Sequence, residues 1–524
     1  MGKIKSEKEL IKWFLGHITD GGEPYILDKN QAKVILDEHK HALVVARAGS
    51  GKTRTLVAKV VYLLKSCNVK ESEIVVFAFN RKAAEEVNAR IASISFDGSP
   101  LFTKPPKIAT TFHAFAYRVL GGKKELENRI ISESENSLII RKVLNNNLPD
   151  AAKERLSALP KKEREEELIS LEKTVMQFIV RAEQKFFQDY KMLQIKIEEQ
   201  PSSDNKDLLK MLFKFLSKYH LGLKKQNLLN FNQLMNEASR HLKNENFPYK
   251  YILVDEYQDF SLLFMEEIKA LMSRCKNPHL IAVGDDWQAI NRFAGSDVKY
   301  FLDFEKYFKN NSVKLFIPTN YRSSKKIVKN ANYFMSTAIR DYKGCTSGNK
   351  KLKGKIYVKD VTKNKNPLYE EYLGIICKII KENPNKTIKI LHRNNELNFK
   401  RISLKQFCEN IIACLLAKNI LTEETKKLIT WSTIHKSKGL EADVVILLEI
   451  DSGKFPSKDK TGGLYQIFGD NIATNLEDEI RLFYVAMTRA KEKLFILSKT
   501  TKYTKENKRH NFLSYLESDE LEWL

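Results

Sequence analysis

Three short runs hold the residues best suited to chemistry. The first is Ala46-Arg47-Ala48-Gly49-Ser50-Gly51-Lys52-Thr53, directly after the apolar stretch Ala42–Ala46. Gly49 and Gly51 let the backbone curl until the N–H groups of Ala48 to Thr53 face the oxygens of an anion. The helix expected after the loop aims its positive end at the same anion. Lys52 brings a point charge to the β- and γ-phosphates of a nucleotide, and the Thr53 hydroxyl is the type that ligates Mg²⁺. Ala46 stands where such loops carry their first glycine. The second run, Asp255-Glu256-Tyr257-Gln258-Asp259, follows the apolar Tyr251–Val254. A carboxylate at the C-terminal end of a buried parallel strand points into the ligand crevice. Asp255 is suited to hold Mg²⁺ through water, and Glu256 to orient or deprotonate an attacking water. In the third run, Gly284-Asp285-Asp286-Trp287-Gln288, Gln288 has an amide that can reach the γ-phosphate or that water.

These residues need strands behind them. Six apolar runs read as strands buried on both faces of parallel sheets: Ala42–Ala46, Ile74–Phe79, Tyr251–Val254, Leu280–Val283, Val444–Ile450 and Leu494–Leu497. Helical patterns lie between them, so the expected class is α/β, with two units of similar size. Residues 116–246 break the rhythm with Glu, Lys, Leu and Phe at amphipathic spacing and read as a helical insertion in the first unit. Residues 343–365 hold eight lysines and one acid, Asp360, and read as a basic loop or edge.

The chain has 524 residues, enough for about three or four folded units at roughly 150 residues each. Its 89 Lys+Arg against 65 Asp+Glu give a net charge of +24, which suggests a polyanionic partner such as DNA or RNA. A Lys-, Asn- and Ile-rich coding bias also produces such a surplus. No apolar run is long enough to span a membrane, and the N-terminus lacks a secretory signal. Six scattered cysteines with no C-x-x-C pair fit reduced thiols and a cytoplasmic location.

With these motifs in this order, the chain resembles a superfamily 1 helicase of the UvrD/Rep/PcrA group from about Leu27 to Leu497. The wording ARAGSGKT, AFNRKAAEE and VGDDWQAI is most similar to the helicase IV branch. The resemblance implies two RecA-like parallel-sheet domains with ATP and Mg²⁺ between them. It divides the chain into an N-terminal helical extension (1–24), a first domain, 1A (25–115 and 247–312), a helical insertion, 1B (116–246), and a second domain, 2A (313–524). It implies that Gln31 reads the adenine edge and that Arg54 and Tyr321 sandwich the ring, as a guanidinium and an aromatic face suit a flat π-system. Arg322 and Arg489 match arginines donated by the second domain to the transferring phosphoryl group, and Glu441 matches a ribose contact. Phe79, Thr111, His113, Phe293, Arg393, Thr433 and His435 match positions lining single-stranded DNA, where aromatic faces stack on bases and polar groups hold phosphates.

The expected activity is ATP-driven movement on single-stranded DNA or a single-strand/duplex junction, in the 3′-to-5′ direction by resemblance. An alternative is a DNA-stimulated ATPase that unwinds only with a protein partner, such as a nuclease or a repair or defence component. Several positions depart from the family pattern. Ala294 stands where an arginine is usual and Asn291 where a tyrosine is usual, which predicts a missing γ-phosphate contact and a missing stacking platform. Asn230-Phe231 replaces an Asp-Phe pair. Only residues 394–430 lie where the 2B subdomain belongs, so 2B is expected to be absent or reduced to a helix or two. No appended nuclease domain is expected after Arg489.

Overall fold

The computed structural model describes all residues except 1–3, 187–188, 202, 340–343, 350–351, 353, 362–367, 399–401, 452–454, 457–463, 470–471, 500–511, 517–520 and 524. Two six-stranded sheets organise the chain, and every pairing in them is parallel. Across the first, the strands lie in the order Ser312–Ile317, His41–Ala46, His279–Gly284, Tyr251–Val254, Ile74–Ala78, Ala109–Thr111. Across the second they run Ile429–Thr433, Ile388–His392, Ala442–Leu447, Ala490–Ser498, Lys355–Asp360, Leu521–Trp523. All six apolar runs of the sequence fall on these strands. The strands His41–Ala46 and Ile74–Ala78 are buried at every residue, because helices cover both faces. The edge strand Ser312–Ile317 is only partly buried, and its mixed sequence hid it.

Two expectations change here. The N-terminal extension is not only helical. The helix Glu7–His17, capped by the Ser6 hydroxyl, leads into strands Ile18–Asp20 and Glu23–Pro24. These join Ile94–Phe96 and Ser99–Pro100 in a four-stranded antiparallel sheet, with Gly21 and Gly22 supplying the positive-φ turn. The basic stretch 343–365 is not simply a loop or edge. Lys355–Asp360 is a strand inside the second sheet, with Ile356 and Val358 in the core. Residues 343, 350–351, 353 and 362–365 of that stretch lie outside the described residues.

The helices Glu133–Asn147, Lys161–Phe186, Tyr190–Glu198 and Asp204–Lys225 enclose a core of their own, including Ile140, Phe178, Leu212 and Phe215. The following helix, Phe231–His241, belongs instead to the first sheet, packing Leu234, Met235 and Ala238 against it. The helical core also takes in Leu464, Ile467 and Phe468 from the second half. The Phe468 ring centroid lies 5.5 Å from Phe178 and 6.0 Å from Phe186. Among the described residues of 394–430 stand a short antiparallel pairing (Glu396–Leu397 with Ile402–Ser403), an α-helix (Leu404–Ala417), a 3₁₀ turn and the start of strand Ile429–Thr433. Phe407, Ile411 and Leu415 bind that helix to the second sheet. Among the described residues no helix is long and apolar enough to cross a membrane.

Candidate nucleotide and nucleic-acid cleft

A cleft of about 1210 Å³ lies between the two halves. Its floor is the loop between strand His41–Ala46 and helix Lys52–Lys65. Gly49 and Gly51 have φ of +71° and +79°, the left-handed region that glycine tolerates. Space enforces the same choice. A Cβ on Gly49 would stand 2.7 Å from Arg322 Cβ, and one on Gly51 3.1 Å from Gln31 Nε2. The second half touches this loop directly: Tyr321 N donates to Gly49 O at 2.8 Å, and Asn320 Nδ2 to Ala48 O at 2.7 Å.

Lys52 Nζ lies 3.5 Å from Glu256 Oε1, and the Thr53 hydroxyl donates to Asp255 Oδ2 at 3.3 Å. Burial and the neighbouring Glu256 charge push the Asp255 carboxyl up. Burial acts the same way on Glu256, but Lys52 and Lys438 outweigh it and hold that carboxyl ionised. Glu256 sits at φ +53°, a costly backbone for a residue with a side chain. A hydroxyl and a carboxylate short of positive charge make a donor pair that suits Mg²⁺, which takes few protein ligands and completes its shell with water and phosphate. Among the described residues no group of three or more His, Cys, Asp or Glu is arranged to hold a metal.

Gln288 does not point freely into the cleft. Its Nε2 donates to Asp285 Oδ2 at 2.6 Å, and its Oε1 accepts from Arg489 Nη2 at 3.1 Å. Arg489 also donates to the carbonyls of Val485 and Leu440, and it is 1% exposed. Burial and the nearby Arg322 lower its pKa to about 9. Arg322 Nε donates to Glu441 Oε2 at 2.6 Å, and Lys491 holds the other Glu441 oxygen at 3.0 Å. Glu441 is therefore an arginine anchor in this state, where the ribose contact was expected.

The residues expected to hold adenine also differ in detail from that expectation. Gln31 and Asp28 form a reciprocal cap on helix Lys29–Leu36, and Gln31 Nε2 donates to Ser50 O at 3.2 Å. Arg54 lies over the Tyr25 ring at 4.0 Å, and the Tyr25 hydroxyl donates to Arg54 O at 2.6 Å. Tyr321 donates its hydroxyl to Asp28 Oδ2 at 2.5 Å across the two halves. Arg54 and Tyr321 both line the cleft.

The sequence reading missed several groups. Tyr25 carried no motif signal, whereas Asp28 was legible as an N-cap three residues before a glutamine. Lys438 pairs with Asp259, and its Nζ donates to Gln288 O at 2.9 Å. Arg47, inside the phosphate loop, contacts Asp285 and Asp286 at 2.7 Å each and lies 3.9 Å above the Trp287 ring. Trp287 meets Tyr484 edge-on at 5.2 Å in a core built mostly from the second half, to which the first half also adds Ala48 and Ile290.

At the other end of the cleft the candidates for DNA gather less tightly. Phe79 and His435 both line the cleft. Phe293 is 52% exposed and meets His435 edge-on at 5.4 Å. Burial, with Arg393 and Lys438, lowers the His435 pKa to about 4. Phe79 and His113 share a cavity of about 150 Å³ with Asn291 and Ala294. Burial also lowers the His113 pKa. Thr111 caps the helix that carries His113, and the Thr433 hydroxyl accepts from Lys436 N at 3.4 Å. Arg393 is committed to Glu479, with Nη2 2.6 Å from Oε1 and Nε at 3.1 Å. Arg292 ties the first half to Asp478 at 2.8 Å on the same helix. Asn230 caps helix Phe231–His241 and donates to the buried Glu183 at 2.7 Å, so the departure from Asp at this position supplies an amide donor.

The UvrD/REP helicase N-terminal domain family matches residues 27–309, and the UvrD-like helicase C-terminal domain family matches 397–501. DNA helicase IV of Escherichia coli (strain K12) is 29% identical over 519 residues, covering 92% of this chain and 69% of that protein. ATP-dependent DNA helicase Rep of Buchnera aphidicola subsp. Schizaphis graminum is 28% identical over 388 residues, covering 70% of this chain and 53% of Rep. ATP-dependent DNA helicase PcrA of Staphylococcus aureus is 26% identical over 390 residues, covering 70% of this chain and 48% of PcrA. The chain therefore spans about half the length of these Rep and PcrA relatives.

Proposed function

The chain belongs to the UvrD/REP helicase family, and from that premise we propose that it is an ATP-dependent motor moving on single-stranded DNA, in the 3′-to-5′ direction. The observation that carries this reading is convergence on one cleft: Lys52, Thr53, Asp255 and Glu256 come from the first half, Arg322 and Arg489 from the second. We keep the division into 1A, 1B and 2A without a full 2B, but assign helix Phe231–His241 to 1A, because it packs on the first sheet.

Thr53 and Asp255 would hold Mg²⁺, which when bound neutralises phosphate charge. The loop amides of Ala48 to Thr53 and Lys52 bind the triphosphate. Glu256, kept ionised by Lys52 and Lys438, accepts the proton of the attacking water and aims it. Arg322 and Arg489 stabilise the charge that grows on the transferring group. Arg322 must leave Glu441 to do so, and that exchange links nucleotide occupancy to the contact between halves. Gln288 relays the same event, because it bonds both Arg489 and Asp285. Phe79 and His113 on one side, and Thr433 and His435 on the other, grip the strand alternately as the cleft closes and opens.

Lys52→Ala tests the reading. ATP turnover stimulated by single-stranded DNA should fall to background, and measurable stimulated hydrolysis by that variant would sink the assignment. A second reading has its own support: the described residues of 394–430 contain one α-helix, and it serves the second sheet's core. The protein would then hydrolyse ATP on single strands but need a partner to separate duplexes. Strand displacement by the purified chain, set beside its ATPase rate, decides between the two.

A further inference from the structure

Lys389 lies on the strand Ile388–His392 and faces the cleft, only 7% exposed. A buried ammonium normally has a carboxylate beside it, because desolvating an unpaired charge is costly. Lys389 has a neutral partner instead: its Nζ donates to the Thr430 hydroxyl at 2.9 Å. Across the seam, on helix Arg81–Ala92 of the first half, stands Lys82. Burial and the charge of Lys82 together lower the Lys389 pKa. Two cations, one from each half, thus line the same cleft. Lys427 and Lys436 line the same cleft, and Glu86 on the Lys82 helix is already bonded to Arg90 at 2.8 Å. Among the described residues no ion pair joins a carboxylate to Lys82, Lys389, Lys427 or Lys436. Thr387 and Thr430 also line the cleft, and of the two the Thr387 hydroxyl is already taken, donating to Asp443 Oδ2 at 2.7 Å.

Lysines that no carboxylate pairs are complete only when an anion enters beside them. The phosphate loop is a separate place, already served by Lys52 and its helix. Two of the lysines neighbour the candidates for DNA along the chain, Lys82 three residues after Phe79 and Lys436 directly after His435, and all of these line the cleft. We propose that Lys389 and Lys82, with the Thr430 hydroxyl, form a second phosphate site across the seam between the halves, which takes a backbone phosphate of the nucleic-acid strand. It rests on the motor reading above. Because one lysine comes from each half, the bound phosphate removes their repulsion and favours a closed cleft, so the strand itself promotes the geometry that hydrolysis needs.

The full chain is titrated with a fluorescein-labelled oligothymidylate at several salt concentrations. Lys389→Gln and Lys82→Gln should each weaken binding about tenfold and lower the salt slope by about one. Lys389→Arg should retain both, and binding of a fluorescent ADP analogue should be unchanged in all three, which also reports that they fold. In the unsubstituted protein, the oligonucleotide should protect Lys389 and Lys82 from acetylation. Wild-type binding with affinity and salt slope unchanged in both glutamine variants would overturn this site and leave the motor reading intact. Protection of Lys389 by pyrophosphate but not by the oligonucleotide would overturn it in favour of a small-anion site. Failure of the unsubstituted chain to bind the oligonucleotide would sink the motor reading and this site with it.

Discussion

The two ends of the cleft are built on opposite terms. At the phosphate-loop end nearly every polar group is already engaged. Arg47 is held by Asp285 and Asp286, Gln288 by Asp285 and Arg489, Arg322 by Glu441, and Lys52 stands beside Glu256. At the other end the aromatic side chains are partly exposed and the lysines lack carboxylates. Phe293 is 52% exposed and touches His435 by its edge. A ligand of fixed shape rewards groups already held close to their places by neighbours, since little more than the exchange of Arg322 from Glu441 to the phosphate then remains to be made. A strand that must slide rewards shallow, repeated contacts of similar strength. The chain separates the two requirements along one cleft.

If that contrast is right, substitutions at the first end should act on hydrolysis by large factors. Arg489→Lys keeps a charge but loses the fork that reaches Gln288, Val485 and Leu440 together. ATP turnover should fall by about 10³-fold, with nucleotide affinity changed far less. Comparable turnover in single-cycle assays would break the comparison at its strongest point. Arg47→Met is the structural counterpart. It leaves Asp285, fully buried, without its cation and removes the guanidinium from the Trp287 face. Breaking one side of a buried pair costs about 3–5 kcal/mol, which chemical denaturation would report. Phe293→Ala, at the second end, should cost about 1–3 kcal/mol of oligonucleotide affinity and leave the stability of the free protein nearly unchanged, because half of the ring is already in water.

The same contrast explains what could be read in advance. The phosphate loop is eight consecutive residues at the end of an apolar run, so its chemistry and its geometry are written in one place. The acidic run after Tyr251–Val254 was legible for the same reason. The expected roles of Gln288, Glu441 and Arg393 gave no hint that they are engaged with Asp285 and Arg489, with Arg322 and Lys491, and with Glu479. Apart from Asp285, those partners stand far away in sequence: 201 residues separate Gln288 from Arg489, and 119 separate Arg322 from Glu441. Nothing local in the sequence marks Arg47 as the cation for two aspartates 238 and 239 residues on. The N-terminal strands escaped because runs of two or three residues carry no period to detect.

The smallest effect concerns His435, and it bears on which kind of contact the second end makes. An exposed histidine near its ordinary pKa would gain charge as pH falls through about 6.5 and would hold a phosphate more tightly there. His435 is instead surrounded by protein, with Arg393 and Lys438 nearby, and its pKa is about 4. It is therefore neutral from about pH 6 to pH 8 and offers the strand a ring and a hydrogen bond, not a cation. Its folded pKa lies below its unfolded one, so the unfolded chain binds the proton more readily. Stability from this residue is fully present above about pH 6.5 and is lost as pH falls towards 4. Oligonucleotide affinity at constant ionic strength should accordingly show the same pH dependence between about pH 6 and pH 8 in wild type and in His435→Gln. Acid unfolding of His435→Gln should begin at a lower pH than that of the wild type, because the substituted side chain takes up no proton on unfolding. A tightening of wild-type binding below about pH 6.5 that disappears in His435→Gln would mean that the histidine is cationic on the strand, and the second end would then share the charge-based logic of the first.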